Sequence, residues 1–413
     1  MRDPYGLRRV VEPAGAMPQP AWRLDNTMVC GDDEILIDVD TLNIDAASFA
    51  QIKSDVGADP DLIGRRMLEI VAQRGKHHNP VTGSGGMLIG RVREIGRESS
   101  ALDPDRRVGG GVGGVGGVGG VGGVGGVGGV GGVGGVGGMS GMSGMGASAS
   151  ALPASAPPAS ALPGGLTVGD RIATLVSLSL TPLTIRAIRD MDLKTGQVAI
   201  EGQAILFDTG LYVTMPDDLP DRMTLAVCDV CGAPAQTARL VRAGQTVAVL
   251  GAGGKSGSMV LAQARRNLGA TGRLVAVEYD EKSAAAVRST GYADDVLVCD
   301  ATQPVSALAA WQAATGGDLA DLTVNCVSVS GTELASILIT RDRGLVYFFS
   351  MATSFTTAAL GAEGVGKDVD MMIGNGYARG HAQLALDLLR TERPLRDLFA
   401  AKIDQPTSKG MLT

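Results

Sequence analysis

Aromatic side chains are scarce: Phe, Trp and Tyr make up 3% of the 413 residues, although 45% are hydrophobic. Val, Leu, Ile, Ala and Met must therefore fill the core, and their share is ample for one. Clustered Lys and Arg are also missing, and the formal net charge is −7. That argues against nucleic acid or an anionic membrane surface as partner, because phosphate binding needs concentrated positive charge. No run of about 18 apolar residues is present to span a bilayer. Residues 1–10 are polar, so no secretory signal is expected. Cysteine is sparse and odd in number: Cys30, Cys228, Cys231, Cys299 and Cys326. This pattern fits reduced thiols in the cytoplasm rather than a disulfide framework.

The length allows two or three domains. A repeat interrupts the chain. From Val112 to Val136 a valine recurs every third residue with two glycines between, and a Met-Ser-Gly patch and an Ala/Ser/Pro tract follow to Pro163. Glycine at this period suggests collagen, but the stiffening proline is absent. Paired glycines cost backbone entropy and one valine per triplet buries little. Residues 109–163 therefore read as a flexible insertion. The flanks, residues 91–96 and 166–173, read as ordered strand and turn, so the repeat lengthens one surface loop.

What is present is a nucleotide-binding pattern. Residues 246–250 (Thr-Val-Ala-Val-Leu) form a short apolar, β-branched run suited to a buried parallel strand. The turn Gly251-Ala252-Gly253-Gly254-Lys255-Ser256-Gly257 follows at once, then helical composition over 258–268. This order sets backbone N–H groups and a helix start against a pyrophosphate. Gly251 suits the tight turn, Gly253 the approach of phosphate, and Gly257 close helix–strand packing. The spacing is one residue longer than the usual fingerprint. A second strand over 274–278 ends in Glu278, where a carboxylate would take the ribose hydroxyls. Further strands are expected at 295–298, 322–326 and 345–349, with helices near 281–290, 305–314 and 332–339. Such alternation implies a doubly wound parallel sheet. Gly254-Lys255-Ser256 also looks like the end of a triphosphatase phosphate loop, but that motif needs a glycine where Val249 stands. Glu278 and Asp280 favour NAD, since a carboxylate repels a 2′-phosphate. Lys255 and Arg273 leave room for NADP.

The first half reads as β-rich, with short strands and turns over 32–53 and 81–96. A β-rich domain before such a sheet is similar to the medium-chain dehydrogenase/reductase superfamily. Residues 34–43, 83–96 and 168–172 match its early strand, its glycine-rich region and a later turn in order. More specific strings run through residues 18–25, 41–45, 75–77, 79–90, 173–183, 325–327, 348–355 and 359–377. Among them are Asn79-Pro-Val-Thr-Gly-Ser-Gly-Gly-Met-Leu-Ile-Gly90 and Phe348-Phe-Ser-Met-Ala-Thr-Ser-Phe355. They resemble the L-erythro-3,5-diaminohexanoate dehydrogenase family, over nearly the whole chain outside the repeat. The resemblance implies an α/β protein with a GroES-like β-rich catalytic domain over 1–215, interrupted by 109–163. A Rossmann domain over 216–355 is implied next, then a return to the catalytic domain and a C-terminal helix over 356–413. It implies NAD(P)-dependent oxidative deamination of L-erythro-3,5-diaminohexanoate to 5-amino-3-oxohexanoate and ammonium, a step of lysine fermentation. A homodimer is the superfamily's expectation.

Zinc members of the superfamily place cysteine and histidine where this chain has Asn43, Asp45 and Ser84. Cys228 and Cys231 form an isolated pair, and two thiolates do not close a tetrahedral site. No metal is expected. An alcohol needs help to lose its proton, which zinc gives. A neutral amine already carries the lone pair that expels hydride, so what is required is a base. Asp45, His77 and Ser84 are the catalytic candidates. Lys76 is a candidate for the substrate carboxylate, and Asp229 and Glu363 for its ammonium groups. Gly251, Gly253, Gly254, Lys255, Ser256, Gly257 and Glu278 are the cofactor candidates. A zinc-free quinone or enone reductase, and a catalytically silent NAD(P)H-binding protein, are the competing readings.

Overall fold

The computed structural model describes residues 2–79, 83, 85–102, 165–374 and 376–403. The repeat over 109–163 lies outside the described residues, as do Ser84 and Asn375. A small ribbon of β1 (Val10–Glu12) and β2 (Arg23–Leu24) opens the chain. Buried Arg9 fastens it: the guanidinium donates to both oxygens of buried Glu34, at 2.9 and 2.5 Å, and to the carbonyls of Thr27 and Val29.

The first sheet is built from β3 (Glu34–Asn43), β4 (Met87–Ile95), β5 (Arg171–Thr174), β6 (Leu183–Asp192), β7 (Gln197–Phe207) and β8 (Tyr212–Thr214). Its order is β6-β7-β3-β4-β5-β8, antiparallel throughout. Two helices, α1 (Ala46–Val56) and α2 (Pro60–Arg74), lie between β3 and β4 in sequence. The strand reading of 32–53 therefore ends too late. Asp45, still extended in backbone, caps α1, its Oδ1 accepting the Ser48 N–H at 2.9 Å. Asp59 caps α2 in the same way, with Pro60 in the first turn. The buried faces of both helices join the sheet's core through Phe49, Ile52, Ile63, Met67 and Val71.

The second sheet contains β9 (Thr246–Leu250), β10 (Arg273–Glu278), β11 (Asp295–Val298), β12 (Ala320–Asn325), β13 (Thr340–Phe348) and β14 (Asp370–Ile373). It is wholly parallel, in the order β11-β10-β9-β12-β13-β14. That is the doubly wound order with its topological switch between β9 and β12. Before it come α3 (Asp221–Cys228) and α4 (Gly232–Leu240). Its connections carry α5 (Lys255–Leu268), α6 (Glu281–Thr290), α7 (Pro304–Thr315), α8 (Glu333–Ile339) and α9 (Phe355–Gly364). Val247, Val249, Leu274, Leu322 and Val324 are each at most 1% exposed, as strands covered on both faces should be.

The end of the chain differs from expectation. Residues after 355 do not return to the first sheet. β14 instead extends the parallel sheet, pairing Leu345–Phe348 with Asp370–Ile373. Then α10 (His381–Thr391) and α11 (Arg393–Ile403) bury Ala385, Leu386, Leu388, Leu389, Leu395 and Phe399 in the cluster that holds Val249 and Leu274. The cause is the apolar face of each helix, which α10 lays mainly on α3, α4 and α5 and α11 on α3, α5 and α6. No described helix is long and apolar enough to cross a membrane.

Candidate functional site

The glycine turn sits at the switch point. Gly251 adopts φ +70°, a left-handed conformation that favours glycine, and a Cβ there would stand 3.1 Å from Val327 N beyond the end of β12. Gly257 packs α5 onto the turn so closely that a Cβ would meet the Gly251 carbonyl oxygen and lie 2.7 Å from Ala252 Cα. No side chain caps the start of α5 at Gly254. Its first-turn N–H groups are thus available to an anion. A cradle that a Cβ would fill, beside an uncapped helix start, fits a dinucleotide pyrophosphate.

Three of the predicted cofactor residues acquire definite partners. Glu278, 7% exposed at the end of β10, accepts a hydrogen bond from Gly253 N–H. Burial pushes its pKa up, opposed by the Gly253 and Tyr279 amides. Lys255 forms an ion pair with Asp229 at 2.8 Å. Ser256 hydrogen-bonds the Cys326 thiol, whose pKa burial pushes up to about 12. The structure also adds residues the sequence did not reveal. Lys402 of α11 donates to the Gly253 carbonyl. Tyr347 of β13 buries a hydroxyl without a partner among the described residues, against Gly374, where a Cβ would lie 2.8 Å from it.

A second group forms where β3 gives way to α1. Asp45 is half-buried, and its Oδ2 accepts the Ser48 hydroxyl at 2.5 Å. His77 is 1% exposed and feels the Asp45 charge and the Gly85 backbone, and neither ring nitrogen makes a well-formed hydrogen bond among the described residues. It lines a cavity between α1 and α2 together with Ser48, Gln51, Arg74, His78 and Asn79. Asn43, two residues before Asp45, lies opposite Met87 in the β3–β4 ladder. Met87 in turn belongs to the apolar cluster that includes Ala252 of the glycine turn.

Other candidates are placed elsewhere. Lys76 is fully buried and its ammonium donates to the carbonyls of Pro18 and Gln19 at 2.8 and 2.9 Å. It fastens the N-terminal segment, and its stem is too enclosed to receive a substrate carboxylate. Asp229 is engaged by Lys255 at the cofactor end. Glu363 is exposed in the last turn of α9, which buries Ala358 and Ala362 on the sheet instead of turning its carboxylate inward. Ser84 lies outside the described residues. Cys228 and Cys231 are buried at the α3–α4 junction, the Cys231 thiol donating to the Cys228 carbonyl at 3.0 Å.

All three histidines are held neutral. Burial leads in each case and takes His77, His78 and His381 from 6.5 to about 4; for His78 the charges of Lys76 and Arg74 add to it. Above pH 6.5 these rings are neutral folded or unfolded. Below it the unfolded chain takes up protons that the fold refuses, so stability falls as pH drops from 6.5 towards 4. His77 and His381, at 1% and 3% exposure, dominate. Two such protons give a slope of about 3 kcal/mol per pH unit at its steepest. Urea midpoints between pH 7 and 5 measure it, and His381→Gln should show a shallower slope. Parallel curves for that variant and the wild type would count against a buried neutral ring.

A family profile described as "L-erythro-3,5-diaminohexanoate dehydrogenase N-terminal domain" matches residues 8–112 and 154–216. An L-erythro-3,5-diaminohexanoate dehydrogenase of Acetoanaerobium sticklandii is 45% identical over 396 residues, covering 96% of this chain and 97% of its own. A protein of the same name from Fusobacterium nucleatum is 41% identical, again over 96% and 97%. Among solved structures, an alcohol dehydrogenase from Thermotoga maritima is 13% identical, with a TM-score of 0.49 over 91% of this chain and 86% of that one.

Proposed function

The chain belongs to the L-erythro-3,5-diaminohexanoate dehydrogenase family, and from that premise we propose that it oxidatively deaminates L-erythro-3,5-diaminohexanoate with a nicotinamide dinucleotide as acceptor. The products are 5-amino-3-oxohexanoate, ammonium and the reduced dinucleotide, and this makes the protein an amine-oxidising dehydrogenase of lysine breakdown. The observation that carries the acceptor half is the tight Gly251–Gly257 turn at the switch between β9 and β12. The names of the two relatives carry the substrate half.

The bound nicotinamide supplies one thing, a ring carbon that accepts hydride from C3 of the diamine. The protein must do the rest. The C3 ammonium has to lose a proton before its lone pair can form the C=N bond as hydride departs. Water then adds to that carbon and ammonia leaves. Asp45 is the group assigned to take the proton, its carboxylate held in place by the Ser48 N–H and O–H. His77, neutral near pH 7 and within electrostatic reach of Asp45, adds no positive charge to repel an ammonium. Asp229 and Lys255 hold each other beside the turn and fix the start of α5.

The test is the appearance of reduced-nicotinamide absorbance from L-erythro-3,5-diaminohexanoate and NAD or NADP. Folded protein that binds the dinucleotide yet yields no signal with this diamine would sink the substrate assignment. The same reading takes the enzyme as a cytoplasmic homodimer. Five free thiols suit a reducing compartment. β14 ends the parallel sheet with Ile373 56% exposed, an edge suited to pairing with a second copy. Light scattering should return twice the 42.1 kDa chain mass, and a monomeric mass at micromolar concentration would exclude the dimer.

A further inference from the structure

An acid at the end of the second strand takes the ribose 2′-hydroxyl of NAD and repels the 2′-phosphate of NADP. Here that acid has a cationic neighbour. Gly253 is gripped from both sides: its N–H donates to Glu278, 25 residues on, and its carbonyl accepts from Lys402, 149 residues on. The Lys402 ammonium thus stands within charge reach of the Glu278 carboxylate.

The other cations offered by the sequence are engaged elsewhere. Lys255 pairs with Asp229. Arg273 stands at the opposite end of β10, donating to Asp295 at 2.8 Å and to the Ala314 carbonyl at 2.7 Å. We infer that Lys402 is the specificity-determining residue of the adenosine end, a cation that admits a 2′-phosphate beside Glu278, so that the enzyme accepts both NADP and NAD. This deepens the dinucleotide reading above and rests on it.

The chemistry is direct. An ammonium has three donors, and the Gly253 carbonyl takes one, which leaves two for phosphate oxygens. The raised pKa of Glu278 eases its protonation when a second anion arrives. The charged groups facing Lys402 are Glu278 of β10 and Lys255 of α5, and burial lowers its own pKa to about 8. A 2′-phosphate binds the protonated form. Affinity for NADPH therefore falls as pH rises through 8, and affinity for NADH, which presents only a hydroxyl there, stays nearly level.

Fluorescence titration of bound NADH and NADPH at pH 7 and pH 9 tests this on the full chain. The wild type should bind both at pH 7, with NADPH weakened at pH 9. Lys402→Met should weaken NADPH about tenfold or more, the scale of a charge-assisted hydrogen bond. It should weaken NADH clearly less than NADPH, since loss of the Gly253 tie touches both dinucleotides, and abolish the pH effect, and Lys402→Arg should keep NADPH binding. Equal weakening of both dinucleotides by Lys402→Met, or a wild type that binds NADH and rejects NADPH, overturns the assignment. A folded wild type that binds neither overturns the dinucleotide reading itself, and this inference with it.

Discussion

Asp45→Asn should lower kcat/KM for the diamine by about 10²-fold or more, the usual scale for loss of a positioned base. This substitution separates chemistry from structure. Asp45 is the N-cap of α1, and Asn caps a helix about as well as Asp. The fold should therefore survive, the melting temperature should move little, and dinucleotide affinity should be unchanged. Asp45→Ala removes both roles, adding about 1 kcal/mol of lost capping to the lost base. The measurement is steady-state kinetics beside a dinucleotide titration for each variant. If Asp45→Asn retains wild-type kcat/KM, Asp45 is a cap and nothing more, and the base must be sought elsewhere along the crevice.

Gly257→Ala should raise the dinucleotide Kd about tenfold to a hundredfold. The added methyl would meet the Gly251 carbonyl and crowd Ala252 Cα at 2.7 Å. Both neighbours are backbone, so no side chain can swing aside. Relief requires α5 to move away from β9, at about 1–3 kcal/mol for an overpacked contact. That movement carries the uncapped helix start away from the pyrophosphate. Gly254→Ala, at the same turn but with more room, is the comparison and should weaken binding less. A Cβ at Gly254 would be 3.3 Å from the same carbonyl, and Gly254 already has an extended conformation with φ −65°. Isothermal titration on the two variants reads the contrast. Equal affinities would show that helix–strand closeness at Gly257 does not matter to the ligand.

The parallel sheet was legible because fully buried strands are written as unbroken apolar runs. Thr246–Leu250 falls where the sequence puts it, and so does the half-exposed edge strand Asp295–Val298, found by its place in the alternation of strands and helices. The turn and Glu278 were legible because their spacing is local. What failed was whatever depended on distant packing. Lys76 looked like a ligand for the substrate carboxylate, and nothing near it in sequence told of the Pro18 carbonyl 58 residues earlier. Glu363 looked like a crevice residue because glycines surround it, yet its helix buries alanines and leaves the carboxylate in water. The helix after Asp45 was missed although Asp45 and Ser48 hold a capping signal, because the strand before them reads so clearly. The destination of the last 50 or so residues depends on which surface their apolar faces meet, and local pattern does not specify that.

The tie from Lys402 to Gly253 also has a meaning in time. A chain grows from its N-terminus at roughly 5–20 residues per second. The turn and Glu278 are made within 25 residues of each other, but the lysine that completes their surroundings comes 149 residues after the turn. A nascent chain therefore carries an open adenosine end for roughly 7 to 30 s. During that interval β10 to β14 are made in turn, and the helix that closes over them comes last. Recognition of the 2′-phosphate is thus a property of the finished protein, available only once α11 has been made.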